Sequence, residues 1–149
     1  MRVFFSTPTE VEITVPIRKA FNVEPKYVYR GKTDYLFVFE NENQLKTIIP
    51  DLNIISSLGG RGTIVTARGD KLDFVSRFFA PQSGINEDPI TGSAHTSLVP
   101  YWSKELKKEV FSAAQLSDRG GYLQCRYQNG RIKISGECKL YMKGHIYLE

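Results

Sequence analysis

Between Thr91 and Lys107 the sequence carries one substantial helical stretch. Ala94, Leu98, Trp102 and Leu106 recur at every fourth position and form an apolar stripe along one side. Lys104, Lys107 and Lys108 cluster near its end, where cations complement the helix dipole. Pro100 in its interior removes a backbone hydrogen bond and predicts a kink. Most of the remaining sequence is patterned for strands, so the helix must bury its stripe against them. Many strands around one helix make an α+β domain, read here as lacking βαβ alternation, internal repeats and low-complexity tracts.

The strand signals are distributed along the chain. Residues 1–15 are expected to be extended, with Val11, Ile13 and Val15 alternating against Glu12 and Thr14. Two strands between Lys26 and Glu40 flank a tight Gly31–Asp34 connection. Asn41 offers an N-cap with Gln44 as its capping-box partner, Pro50 stops that helix, and a second short helix covers Asp51 to Leu58. Gly59 to Gly62 turn into the strand TIVTA, and Leu72 to Ala80 form another. Asn129-Gly130 between alternating flanks is the strongest hairpin signal, with Leu123, Cys125 and Tyr127 on one side. The segment KLYMKGHIYLE reads as a closing strand.

Composition narrows the class. The 149 residues are 41% hydrophobic and 24% charged, as in ordinary globular domains. No apolar run approaches the ~20 residues a membrane span requires. No signal peptide is apparent, so a cytoplasmic location and no membrane partner are expected. The net charge of +4 is spread out, and Lys104, Lys107 and Lys108 interleave with Glu105 and Glu109, which suits a solvated helix face better than a nucleic-acid stripe. Cys125 and Cys138 lack zinc spacing and are expected to be buried core thiols; with His95 and His145 they predict no metal site. His145 is expected on a solvated strand.

The segment NEDPITGSAH, Asn86 to His95, opens the long helix. Asp88 precedes Pro89 and is therefore extended. Gly92 allows close approach to the backbone, and the N–H groups of the first turn have no intrahelical partners. Those groups and the positive end of the dipole suit a carboxylate, beside which Asp88 or Glu87 could exchange a proton. A plainer reading also fits: Thr91 or Ser93 caps the helix, and Asp88 accepts loop N–H bonds.

The stretch DFVSRFFAPQSGINEDPITGSAH, followed by LVPYW, resembles the signature of the PhzF family. Further matches are Pro50–Leu52, GTIVTA at Gly62–Ala67, Gln115 to Gly121 against Q-x-S-x-R-G-G, and Ile134-Ser135-Gly136. Gln82-Ser83, Ile90 and Asp118 depart from it. The resemblance is to the family's C-terminal half, so residues 1–149 are expected to be a single domain, with the N-terminal domain absent and VFFSTPTE as the inter-domain crossover. It implies a diaminopimelate epimerase-like fold, with mixed or antiparallel strands wrapped around a central helix at about 91–107. It also implies cofactor-independent proton transfer on a small carboxylate-bearing substrate, as in phenazine biosynthesis-like isomerases. On that resemblance Asp88 is the catalytic carboxylate, while Thr91, Gly92, Ser93 and Ala94 bind the substrate. The family's essential Glu lies in the other half, and Glu87 matches a different position. His95 is expected to pack or hydrogen-bond beneath the site. The cleft would be completed by a complementary N-terminal-half chain or by a homodimer; the alternative is a non-catalytic remnant that at most binds small carboxylates.

Overall fold

The computed structural model describes residues 8–147. An eight-stranded mixed sheet runs in sequence order: β1 (Thr9–Glu10), β2 (Tyr27–Arg30), β3 (Asp34–Val38), β4 (Gly62–Arg68), β5 (Phe74–Phe79), β6 (Val110–Gln115), β7 (Gly121–Gln128) and β8 (Arg131–Ser135). Neighbours are antiparallel except for β3–β4 and β5–β6, which are parallel. Helices α2 (Glu42–Thr47) and α3 (Leu52–Ser57) make the first parallel crossover, and α4 (His95–Leu106) makes the second. The expectation of no βαβ alternation is thus corrected. The helices of the first crossover are expected from the sequence, but a linear pattern does not show that β3 and β4 on either side of them pair in parallel, and β6, not anticipated from its pattern, completes the second.

Alternation along the strands divides the core in two. Leu36, Val38, Ile64, Phe74 and Phe78 face α4, whose Ala94, Leu98, Val99 and Trp102 they enclose together with Phe111, Ala113, Leu123 and Cys125. Tyr29 and Ile132 close the two sides, so β2 through β8 all contribute to the wrapping around the helix. Phe37, Val65, Ala67, Val75 and Phe79 point the other way, against α1 (Val15–Lys19), α2 and α3 through Ile17, Phe21, Leu45, Ile48 and Ile55. Covered on both sides, β4 is buried from Gly62 to Ala67.

Several local expectations hold. The Asn41 side chain accepts from the Gln44 N–H at 2.9 Å, although Gln44 Oε1 reaches back to the Glu40 N–H rather than to that of Asn41. Asp51 caps α3. Asn129 and Gly130, with φ of 51° and 68°, join β7 to β8 through a two-residue turn. Pro100 lies within α4 without ending it.

Others are corrected. Of the extended segment expected over residues 1–15, residues 1–7 lie outside the described residues, as does most of the crossover VFFSTPTE. Within the rest only Thr9–Glu10 are strand, and Val15 begins α1 with Pro16 in its first turn. Residues 136–147 adopt no regular element, and Leu140, Tyr141, Met142, Ile146 and Tyr147 are exposed. The described part of KLYMKGHIYLE is therefore not a strand: its alternation meets no partner backbone. Cys138, in the same stretch, is exposed rather than buried, and His145 is solvated but not on a strand. Cys125 is buried, and burial pushes its thiol up to about 11.

Candidate active site at the N-terminus of the central helix

The chain reaches α4 through a loop whose two acidic residues are treated differently. Glu87 is clamped by Arg77, with Nε–Oε1 2.7 Å and Nη2–Oε2 2.9 Å, and the same guanidinium donates to the carbonyls of Leu45 and Ile48. It is a strut between the loop and α2. Asp88 is anchored through its backbone, which donates to Phe78 O at 3.0 Å. Its Oδ2 accepts from the Thr91 hydroxyl, and Oδ1 has no hydrogen-bonding partner among the described residues. One carboxylate oxygen is thus oriented by the Thr91 hydroxyl while the other is left without a protein partner among the described residues.

Gln115, at the end of β6 and buried, holds this turn from below. Its Oε1 accepts from the Thr91 N–H at 2.8 Å, and its Nε2 donates to Asp88 O at 2.6 Å and to Thr91 Oγ1 at 3.2 Å. Ser117 Oγ donates to Pro89 O and accepts from the Gly120 N–H. Gly121 lies against Ile90 so closely that any Cβ would collide with its side chain. The Q-x-S-x-R-G-G stretch therefore serves as the bed of the NEDPITGSAH loop, a role its pattern alone did not disclose.

The first turn after Thr91 is a 3-10 turn, Gly92–Ala94, and the α-helix proper starts at His95. Thr91 and Ala94 are buried. The Thr91 N–H goes to Gln115, and the Ala94 N–H donates to Thr91 O at 3.2 Å. Gly92 and Ser93 are exposed, and their N–H groups have no partner among the described residues. A Cβ at Gly92 would meet nothing within 4 Å, so the space beside it is open. Those two N–H groups are the donors that this turn leaves without a partner among the described residues, and Asp88, three positions before Thr91, is half-exposed.

His95 points away from that opening. Its ring is fully buried, with Nδ1 3.0 Å from Thr91 O, and burial holds its pKa below the ordinary imidazole range. A carbonyl only accepts, so Nδ1 carries a proton. In contact with the turn stands Arg61, which lies between glycines and belongs to no motif of the sequence. Its Nη1 donates to Ser93 Oγ at 2.7 Å, and its Nε and Nη2 hold Asp34. Thirty-two positions separate Arg61 from Ser93, so no local spacing could have paired them. Among the described residues no group of His, Cys, Asp and Glu side chains is placed to hold a metal ion, and no helix is long and apolar enough to cross a membrane.

Residues 6–144 match the family described as phenazine biosynthesis-like protein, PhzC-PhzF. The chain is 47% identical to an uncharacterized isomerase of Pseudomonas aeruginosa, over 95% of this chain and 54% of that protein. It is 39% identical to an uncharacterized isomerase of Halalkalibacterium halodurans, over 85% of this chain and 48% of that one. A crystal structure of a PhzF-family protein from Enterococcus faecalis superposes with a TM-score of 0.87 at 42% identity, covering 96% of this chain and 55% of that chain. A putative PhzC/PhzF protein from Clostridium difficile gives 0.82 at 38% identity, covering 96% and 55%. The chain thus spans about half the length of the curated relatives it matches.

Proposed function

The chain belongs to the phenazine biosynthesis-like, PhzC-PhzF family, among PhzF-like isomerases, and from that premise we propose that it supplies one wall of an isomerase active site. The substrate is a small molecule bearing a carboxylate. Its carboxylate sits on the N–H groups of Gly92 and Ser93 and on the Ser93 hydroxyl, while Asp88 acts on a neighbouring carbon-bound proton. One observation carries this reading: a half-exposed carboxylate with one oxygen oriented and one free stands beside two unpartnered N–H groups at a helix N-terminus. Thr91 and Ala94 contribute by shape, since their own N–H groups are engaged inward.

Isomerisation by proton transfer leaves the substrate's composition unchanged. A proton leaves one carbon for a base and returns at another position from an acid, and in this scheme the two steps are divided between groups on opposite sides of the substrate. Asp88 serves on one side. The group on the other side belongs to a second wall, contributed by another polypeptide segment or a second copy of this chain. No cofactor takes part in this scheme.

The test is solvent-deuterium incorporation into small cyclic carboxylic acids, followed by NMR, with the chain alone and with a first-half partner drawn from a family relative. Exchange that disappears in Asp88→Asn supports the reading. No exchange under either condition overturns it in favour of a domain that only binds carboxylates. Solution mass by light scattering separates the two sources of the second wall, because a stable dimer supports the symmetric assembly and a monomer the partner chain.

A further inference from the structure

We infer that Arg61 is a positioning residue of the carboxylate site, acting through the Ser93 hydroxyl so that the site selects a carboxylate over a neutral carbonyl group. The inference rests on the reading of Gly92 and Ser93 given above. An arginine has donors and no acceptor, so the 2.7 Å contact from Nη1 makes Ser93 Oγ the acceptor. The hydroxyl proton is then directed elsewhere, and among the described residues it donates to no protein group. Ser93 is exposed on the side of the free N–H pair, so its proton becomes a third donor to the same opening, polarised by the cation on its oxygen.

The guanidinium is held on a built platform. Asp34 is only 4% exposed and takes Nε at 3.0 Å and Nη2 at 2.5 Å, a two-point grip that fixes the plane and leaves Nη1 for Ser93. The Arg61 N–H donates to Thr33 O at 2.7 Å, and the guanidinium stands 5.4 Å from the Phe78 ring centroid. Gly60, at φ +87°, has no room for a side chain: a Cβ would come within 2.7 Å of Thr33 O and 2.5 Å of Arg30 Nη1. Gln82 Nε2 ties the Gly60 carbonyl at 3.1 Å. Burying Asp34 beneath a guanidinium is a poor way to gain stability, because desolvation offsets the attraction. Its effect here is directional, since it aims a cation at the entrance of α4. The Asp34 charge largely cancels that of Arg61, so a ligand meets an oriented hydroxyl proton rather than a bare positive field.

The experiment is an amide NMR titration of the full chain with two matched probes, benzoate and benzamide, following Gly92 and Ser93. In the unaltered chain benzoate shifts both amides and binds roughly tenfold or more tightly than benzamide. The charge-neutral pair Asp34→Asn with Arg61→Gln, chosen so that no lone buried carboxylate remains, loses that preference while the amide pattern of β4 and α4 is kept. Ser93→Ala loses it equally, and the Asp34/Arg61 changes added to Ser93→Ala alter benzoate affinity by less than about twofold, the behaviour of residues coupled in one contact. A strut that merely fastens the turn would weaken both probes alike. Preference retained in the Asp34/Arg61 pair, or in Ser93→Ala if that pair does not fold, overturns the role of Arg61 and leaves the carboxylate site standing. Benzoate that shifts neither amide in the unaltered chain overturns the site itself, and this inference with it.

Discussion

The two sides of the same sheet are packed by different rules. The side covered by α1, α2 and α3 is mainly apolar: Phe21 meets Phe37 and Phe39 edge-on at 5.3 and 5.6 Å, Leu45, Ile48 and Ile55 fill the space, and Thr63 and the Arg77–Glu87 pair are its polar exceptions. The side wrapped around α4 buries polar groups among its apolar ones: Asp34, Thr66, Ser76, Thr91, His95 and Gln115. Of these, Thr91, His95 and Gln115 are bound to one another within the turn that opens α4, Asp34 reaches that turn only through Arg61, and Thr66 takes the Trp102 N–H at 3.0 Å. An apolar core needs only volume and shape, whereas a buried polar group must find its partner or leave a costly orphan. The outer side therefore holds the fold and, through Arg77, the Glu87 end of the loop, while the inner side fixes the turn that opens α4.

That division can be broken by experiment. The largest expected effect is chemical: once proton exchange is established, Asp88→Asn lowers its rate by about 100- to 10,000-fold, the usual share of a positioned acid or base, with little change in the urea midpoint. On the outer side, Leu45→Ala is expected to lower unfolding stability by about 2–5 kcal/mol while the amide positions of Gly92 and Ser93 stay where they are. Their displacement in this variant would mean that the two sides are not independent. On the inner side, Gln115→Leu preserves approximate volume but strands the Thr91 N–H, and an expected loss of about 1–3 kcal/mol comes with a clear shift of both amides. An unshifted spectrum would remove Gln115 from its supporting role.

The smallest effect concerns pH. Burial keeps the folded His95 below the ordinary imidazole pKa of about 6.5, so the unfolded chain binds that proton more readily. The stability contributed by the neutral ring is complete above about pH 6.5 and is lost as pH falls from there through the folded value. Urea midpoints of the unaltered chain and of His95→Gln, compared at pH 7.5 and at 5.5, should converge at the lower pH. Parallel declines would show that another group governs the acid limb. Asp73 is one to examine: burial raises its pKa, but Lys108 and the Ser112 N–H and hydroxyl outweigh that and hold it low.

Much of this was legible in the residues because it is local. The cap at Asn41, the Asn129-Gly130 turn and the four-residue stripe of α4 depend on neighbours within a few positions, and a linear pattern records them. Asp88, Gly92 and Ser93 were placed at a helix entrance for the same reason. The strand expected at KLYMKGHIYLE shows the limit of such patterns, because alternation states which residues could share a face and not whether a partner backbone lies beside them. Val15 shows it at the other end, where a strand-like alternation yields to a proline that starts a helix.

By itself, then, the sequence determined the Asn41 cap, the tight turns, the central helix, the family resemblance and the loop that opens that helix. Tertiary structure alone decided which of two adjacent carboxylates is a strut and which is free, that Gln115 carries the turn from 24 positions away, and that Arg61 reaches Ser93 across 32. The physical reason is one of range. Helical periods, turns and caps are set by bonds between near neighbours, while the role of a charged or polar side chain is set by whichever partners the folded chain brings within about 3 Å of it.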